Sequence, residues 1–230
     1  MTNEVKEFIE KHIDLIEAEE FKKLYDLTRA KITSREDPSF TGEFTETLLS
    51  AGIDPAKYMK EIPSHYLEQS SIQSYVVPHG VTSIGAFAFL NCKGLTDVGI
   101  PNSVTFISSC VFENCSSLTN IVIPENITFI SDSTFSGCSS LTSIIIPDDV
   151  TSICSFAFHE CSGLTRVTIG NKVNIIDFKA FSNCINLKSI NYLGTKDQWA
   201  EVNLDDHWKT GSHRLKEIKC KDGVIDLNNK

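Results

Sequence analysis

A period of 23 residues governs the middle of this chain. Cys92, Cys115, Cys138, Cys161 and Cys184 keep it without a slip. So do Phe89, Phe112, Phe135, Phe158 and Phe181, and likewise Leu95, Leu118, Leu141, Leu164 and Leu187. Ile84, Ile107, Ile130, Ile153 and Ile176 form another column, and Val81, Val104, Ile127, Val150 and Val173 another. Pro78, Pro101, Pro124 and Pro147 form one more, with Gly170 in the next place. The unit is P-x-x-V-T-x-I-x-x-x-A-F-x-x-C-x-x-L-T-x-I-x-I. Chance does not lock so many columns to one spacing. A period of about 20–29 residues with L-x-x-I-x-I at its heart specifies a leucine-rich solenoid. One turn cannot bury its own apolar face, so stacked turns share a continuous core.

The unit also predicts its local structure. The stretch LTNIVI (118–123) is β-branched and alternating, which makes it a short strand. Copies from successive turns stack in parallel, about 4.8 Å apart. Pro124 ends the strand because it has no N–H for the ladder. NITFI is a second short extended piece, and VFENC or STFSGC a helical or 3₁₀ turn that drives its Phe inward. Upstream, Tyr66, Ile72, Tyr75 and Val77 match the columns as one degenerate turn. Before it, Val5, Phe8, Ile9, Ile13 and Ile16 share one helix face. Phe21, Leu24, Tyr25 and Thr28 suggest a second helix, and GEFTETLLSAG a third, stopped by Gly52. Residues 33–42, with their Pro and Gly, read as a loop. Asp54 and Pro55 open another turn as N-cap and first helical residue. Downstream the pattern stops after Tyr192. Thr195 and Gln198 form a capping box, and EIKCKDGVIDL a hairpin with Asp222-Gly223 at its turn.

The cysteine column invites three interpretations. Neighbouring turns are close enough for disulfides, but five is odd and each Cys sits where a turn needs a small apolar group. Zinc sites use clustered ligand pairs with short spacing, which a straight column lacks. Buried, reduced packing residues fit best. Cys110, Cys154 and Cys220 fall outside the column, and the six histidines are scattered. His159, Glu160 and Cys161 are adjacent, but Cys161 belongs to the packing column. No phosphate loop, nucleophile elbow or dinucleotide fingerprint is present. No cofactor and no metal is expected. With 21 basic against 30 acidic residues, the formal charge is −9. A negative chain with no basic stripe argues against nucleic acid, which needs clustered Lys and Arg, and against an anionic membrane surface. The N-terminal stretch MTNEVKEFIEKHIDLIEAEE lacks the apolar core and cleavage site of a secretory signal. The expected location is the cytoplasm, or outside the cell if the chain is the trimmed form of an exported protein.

The unit IPxxVTxIxxxAFxxCxxLTxIxI, as in IPENITFISDSTFSGCSSLTSIIIP (123–147), resembles the BspA-type leucine-rich repeat. The resemblance covers about residues 62–192, and INYLGTKDQWAEV is similar to the C-terminal cap of gut-bacterial members. It implies a right-handed solenoid that binds other macromolecules, with no catalytic residues to carry over. The expected fold is therefore an α/β repeat: a leucine-rich solenoid with a parallel sheet, between a helical N-terminal module (1–61) and a β/α cap (193–230).

Binding in a solenoid uses the outward positions between core columns. Ser83, Phe106, Phe129, Ser152 and Ile175 form one such column. Phe106 and Phe129 stand where other turns have a small polar residue, and an exposed aromatic pair is the anchor interfaces use. The bland alternative is that they pack under the N-terminal segment or against a neighbouring chain. Gly99, Val122, Ile145, Thr168 and Asn191 form a second column, where β-propensity also accounts for Val122 and Ile145. Asp97, Asn120, Ser143, Arg166 and Ser189 form a third. The partner-binding candidates are Phe106, Phe129, Ile175, Val122, Ile145, Asn120 and Arg166. The expected function is a non-catalytic scaffold for a protein or other macromolecule. The alternatives are self-assembly, or an enzyme with a site between the N-terminal helices and the solenoid.

Overall fold

The structure is a computed structural model describing residues 45, 46, 48–50 and 54–228. The helices expected over 5–16 and 21–28 and the loop over 33–42 lie outside the described residues.

Each repeat contributes two short strands whose side chains alternate between core and surface. The Leu-Thr-x-Ile-x-Ile segments give β2 (Ser74–Val76), β4 (Asp97–Gly99), β6 (Asn120–Ile121), β8 (Ser143–Ile146), β10 (Arg166–Ile169) and β12 (Ser189–Tyr192). The Thr-x-Ile segments give β1 (Glu61–Ile62), β3 (Ser83–Ile84), β5 (Phe106–Ile107), β7 (Phe129–Ile130), β9 (Ser152–Ile153) and β11 (Ile175–Ile176). Pairing is parallel and in register with the repeat, as in Val98↔Ile121 and Val167↔Ile190. The molecule is thus a parallel-strand β-solenoid with a longer and a shorter sheet side.

The third side of each coil departs from expectation. The segments around VFENC are neither α nor 3₁₀ helix but successive turns, so the repeats are not α/β. Two residues per coil have positive φ, such as Cys110 at 58° and Asn114 at 59°. Those residues reverse the chain before a helix can propagate. The freed N–H groups bond to the next coil instead, as from Phe112 N–H to the Thr134 carbonyl at 2.9 Å. This layer is a third ladder made of turns.

The core is a set of columns. Phe89, Phe112, Phe135, Phe158 and Phe181 are buried and stacked, with centroids 5.1–5.6 Å apart and planes within 15°. At the N-terminal end Tyr66 and Tyr75 both donate to the Asp54 carboxylate, which also accepts from Ala56 N–H ahead of the 3₁₀ turn Pro55–Tyr58. Leu67, not Tyr66, takes the Phe position there: its carbonyl accepts from Cys92, as the Phe carbonyls do from later cysteines. The first turn is one residue short, which shifts Tyr66 out of that column.

The sequence repeat ends at Tyr192, but the coil continues beyond it. A helix α1 (Lys196–Ala200), closed by the Thr195–Gln198 capping box, is inserted. Then β13 (Asn203–Leu204) joins β11 and β14 (Glu217–Cys220) joins β12, both in parallel. Trp208 meets Phe181 edge to face at 6.1 Å and covers the end of the phenyl stack from the position that Ala180 holds one coil earlier. Only then does β15 (Gly223–Asp226) fold back antiparallel on β14.

Candidate functional site

Outward positions of both sheets fall where the alternation puts them. On the short-strand side Phe106 is 41% exposed and Phe129 half-buried. Their rings meet edge to face at 5.8 Å and 69°, so they form one aromatic pair rather than two separate side chains. Ser83 and Ser152 flank them in register, and Ile175 lies beyond Ser152. Ile175 is half-buried and is not brought together with the phenylalanines. On the long-strand side Val122 and Ile145 are 70% and 67% exposed on adjacent turns. Asn120 and Arg166 are exposed in the neighbouring column, separated by Ser143. Val76 is as exposed as Val122, at 70%, and precedes Gly99 by one period; that spacing was its available signal.

These candidates flank a discontinuity with no trace in the sequence. Thr96, Thr119, Thr165 and Lys188 each donate a backbone N–H to the carbonyl one turn earlier; between Thr142 and Thr119 no such bond forms. On the other side Thr105 and Thr151 keep the rung and Thr128 does not. Neither β5 with β7 nor β6 with β8 is paired. The Ser131 hydroxyl takes the Ile107 carbonyl that a backbone N–H would have taken. The turn ladder continues across the same junction, with Cys110, Phe112 and Asn114 bonding to Asp132, Thr134 and Ser136. The coils therefore part on both sheet sides while staying joined on the third. A cleft of about 180 Å³ opens between β6 and β8, lined by Asn120, Val122, Ser143 and Ile145 with Glu125 at its end.

The cysteines make no competing site. Cys92, Cys115, Cys138, Cys161 and Cys184 are free and buried. From Cys115 onward each thiol donates to the carbonyl of the previous turn's Phe, at 3.0–3.1 Å. Burial pushes Cys92 and Cys184 up to about 12 and holds Cys115, Cys138 and Cys161 well above the usual thiol range. Cys110 rises to about 12 through burial and its hydrogen bond with Glu113, and Cys154 to about 11 through burial. None is poised as a thiolate nucleophile. The Cys161 thiol bonds to the Phe135 carbonyl, whereas His159 Nδ1 bonds to Ser182 Oγ at 2.6 Å, so the adjacent pair in sequence is not a pair in space. Among the described residues no group of three or more His, Cys, Asp or Glu is placed to hold a metal ion. Among them, too, no helix is long and apolar enough to cross a membrane.

The family model that matches, the BspA-type leucine-rich repeat region, does so in six copies over residues 60–194. The chain belongs to the BspA-type leucine-rich repeat family. Solved structures agree. A leucine-rich cell surface protein of Faecalibacterium prausnitzii is 38% identical, with a TM-score of 0.58, over 60% of this chain and 36% of its own. This chain therefore spans little more than a third of that protein. The leucine-rich repeat protein of T. pallidum is 25% identical, with a TM-score of 0.56, over 67% of this chain and 71% of its own. The pneumococcal vaccine antigen PcpA, 20% identical with a TM-score of 0.56, covers 72% of this chain and 40% of its own, and shows the shared fold alone. No curated protein matches the sequence. The BspA-type repeat fits an interaction or surface scaffold, with core columns fixed and outward columns free to vary.

Proposed function

We propose that this BspA-type solenoid is a non-catalytic protein-interaction module, with Phe106 and Phe129 as its anchor for a foreign protein. The observation that carries this is the edge-to-face pair, with Phe106 exposed and Phe129 half-buried, where Ser83 and Ser152 stand in neighbouring turns. Aromatic anchors at the centre of a contact supply a large share of binding energy. The segment from 193 closes one end, its hairpin strand β15 covering the edge that β14 would otherwise leave open. Location divides the kinds of partner. In the cytoplasm the partner is a protein of the same cell. At the surface, as for the F. prausnitzii relative, it is a protein of the host or of a neighbouring cell. Cell fractionation decides between them.

The test is capture of partners by wild type beside Phe106→Asp/Phe129→Asp, then titration with the purified captured protein. The double variant should keep its circular dichroism spectrum and lose about 30-fold or more in affinity, the loss expected of an interface anchor. Equal affinity for both forms refutes the phenylalanine site.

A further inference from the structure

The long-strand sheet carries a pattern that the aromatic pair does not explain. Its outward columns, read across the β6–β8 cleft, are Ser74, Asp97, Asn120, then Ser143, Arg166, Ser189; and Val76, Gly99, Val122, then Ile145, Thr168, Asn191. Asp97 lies one turn before the cleft and Arg166 one turn after it. Both are exposed, and neither makes an ion pair or hydrogen bond with another described side chain. They stand three strand spacings apart, about 14 Å, too far to meet within one chain.

We infer that this face docks a second copy of the same chain, about a two-fold axis that runs parallel to the strands through the cleft between β6 and β8. Such an axis reverses the order of turns and keeps each column over itself. Asp97 of one copy then lies over Arg166 of the other, and the contact occurs twice because a two-fold interface repeats every pair. Val122 lies over Ile145 in the same way, at the centre, where the cleft receives both. Gly99 meets Thr168, so no bulky side chain holds the sheets apart beside the apolar centre. The serines and asparagines around it have no charge to strand. At the rim Glu125 lies opposite Asp148; both are exposed on the turns that leave the sheet, and a like-charge pair in solvent costs little. Charge complementarity favours a second copy over a foreign protein, because this face carries, in reversed order, the charges that match its own.

This inference concerns the other sheet from the phenylalanine pair and does not rest on the partner proposed for it. Its test is sedimentation equilibrium of the full chain across a range of concentrations. Wild type should show a monomer–dimer equilibrium that weakens with salt, as exposed ion pairs do. Asp97→Arg alone and Arg166→Asp alone each create two like-charged contacts and should weaken association about tenfold or more. The double variant Asp97→Arg/Arg166→Asp restores both pairs and should return to within about threefold of wild type, since it reverses each charge pair and leaves the apolar centre alone. All three changes are at exposed positions, and circular dichroism checks the fold. A wild type that stays monomeric, single variants that associate like wild type, or a double variant no better than the singles overturns the inference.

Discussion

Alkaline titration puts the cysteine column to a quantitative test. Five buried thiols have pKa values raised by burial above their ordinary 9.0, Cys92 and Cys184 to about 12. A raised folded-state pKa stabilises the fold fully below pH 9, where both states hold the proton. Above pH 9 the unfolded chain releases protons that the fold retains, so stability falls until the pH passes the folded values. At pH 8 the loss is under about 0.1 kcal/mol per thiol; at pH 10 it is about 1.4 kcal/mol. Five thiols together lose about 7 kcal/mol at pH 10, comparable to the roughly 5–15 kcal/mol that holds a typical domain folded. The urea midpoint should therefore fall steeply between pH 9 and pH 10. The assay is urea denaturation followed by circular dichroism at pH 7, 8, 9 and 10, with reductant present. Near pH 10 the column's share of the slope should approach about −6 kcal/mol per pH unit. Cys110, Cys154 and Tyr66, also raised by burial, add to the slope, so the control matters: Cys115→Ala/Cys138→Ala/Cys161→Ala should cut the column's share of the slope to about two-fifths, and Cys138→Ala alone by about one-fifth. A slope that ignores removal of the thiols refutes the reasoning.

Other positions give simpler outcomes. Ser212 is buried, donates to the Phe181 carbonyl at 2.6 Å and accepts from Cys184 N–H at 2.9 Å. Ser212→Ala strands that N–H and should cost about 1–3 kcal/mol in urea denaturation, whereas Ser212→Cys, which restores the column's own residue, should cost less than Ser212→Ala. Gly137 has φ 72°, and a Cβ there would sit 2.4 Å from Asn114 Oδ1. Gly137→Ala should therefore lose about 1–2 kcal/mol, read as a lower urea midpoint, from the left-handed backbone and the displaced asparagine together.

The sequence displays its core more openly than its ends or its surface. The Phe, Cys, Leu and Ile columns are legible because every coil meets the same neighbours, so each position faces the same constraint 23 residues on. The last coil escapes that pattern for a physical reason. Helix α1 lengthens it, Lys209 stands in the Phe place while the Trp208 ring covers Phe181 from the position before, and Ser212 stands in the Cys place, so spacing and identity change together. The first coil hides its register by a single deletion that brings Leu67 under Phe89. Left-handed residues are half legible: Asn91, Asn114, Gly137 and Asn183 before the cysteines suit positive φ, while Phe87 and Phe156 adopt it with no local preference to announce it. Outward residues are legible as positions, because alternation places Phe106, Val122, Asn120 and Arg166, but not as a site. Nothing in the residues flanking Thr119 and Thr142 announces that the ladder lapses between them.

That lapse has a consequence for how the molecule comes apart. A linear array of coils is held by nearest-neighbour couplings, and its cooperativity is set by the weakest of them. Between the coil that holds Phe112 and the one that holds Phe135, coupling rests on the turn ladder, on side-chain contacts such as the phenyl stack, the Phe106–Phe129 pair and the Ser131 hydroxyl, and on a thiol, without the backbone rungs of either sheet. Heat, denaturant or a pulling force thus meets two blocks of coils joined by a seam. The N-terminal block ends at β6 and the C-terminal block begins at β7, and each can open while the other stays wound.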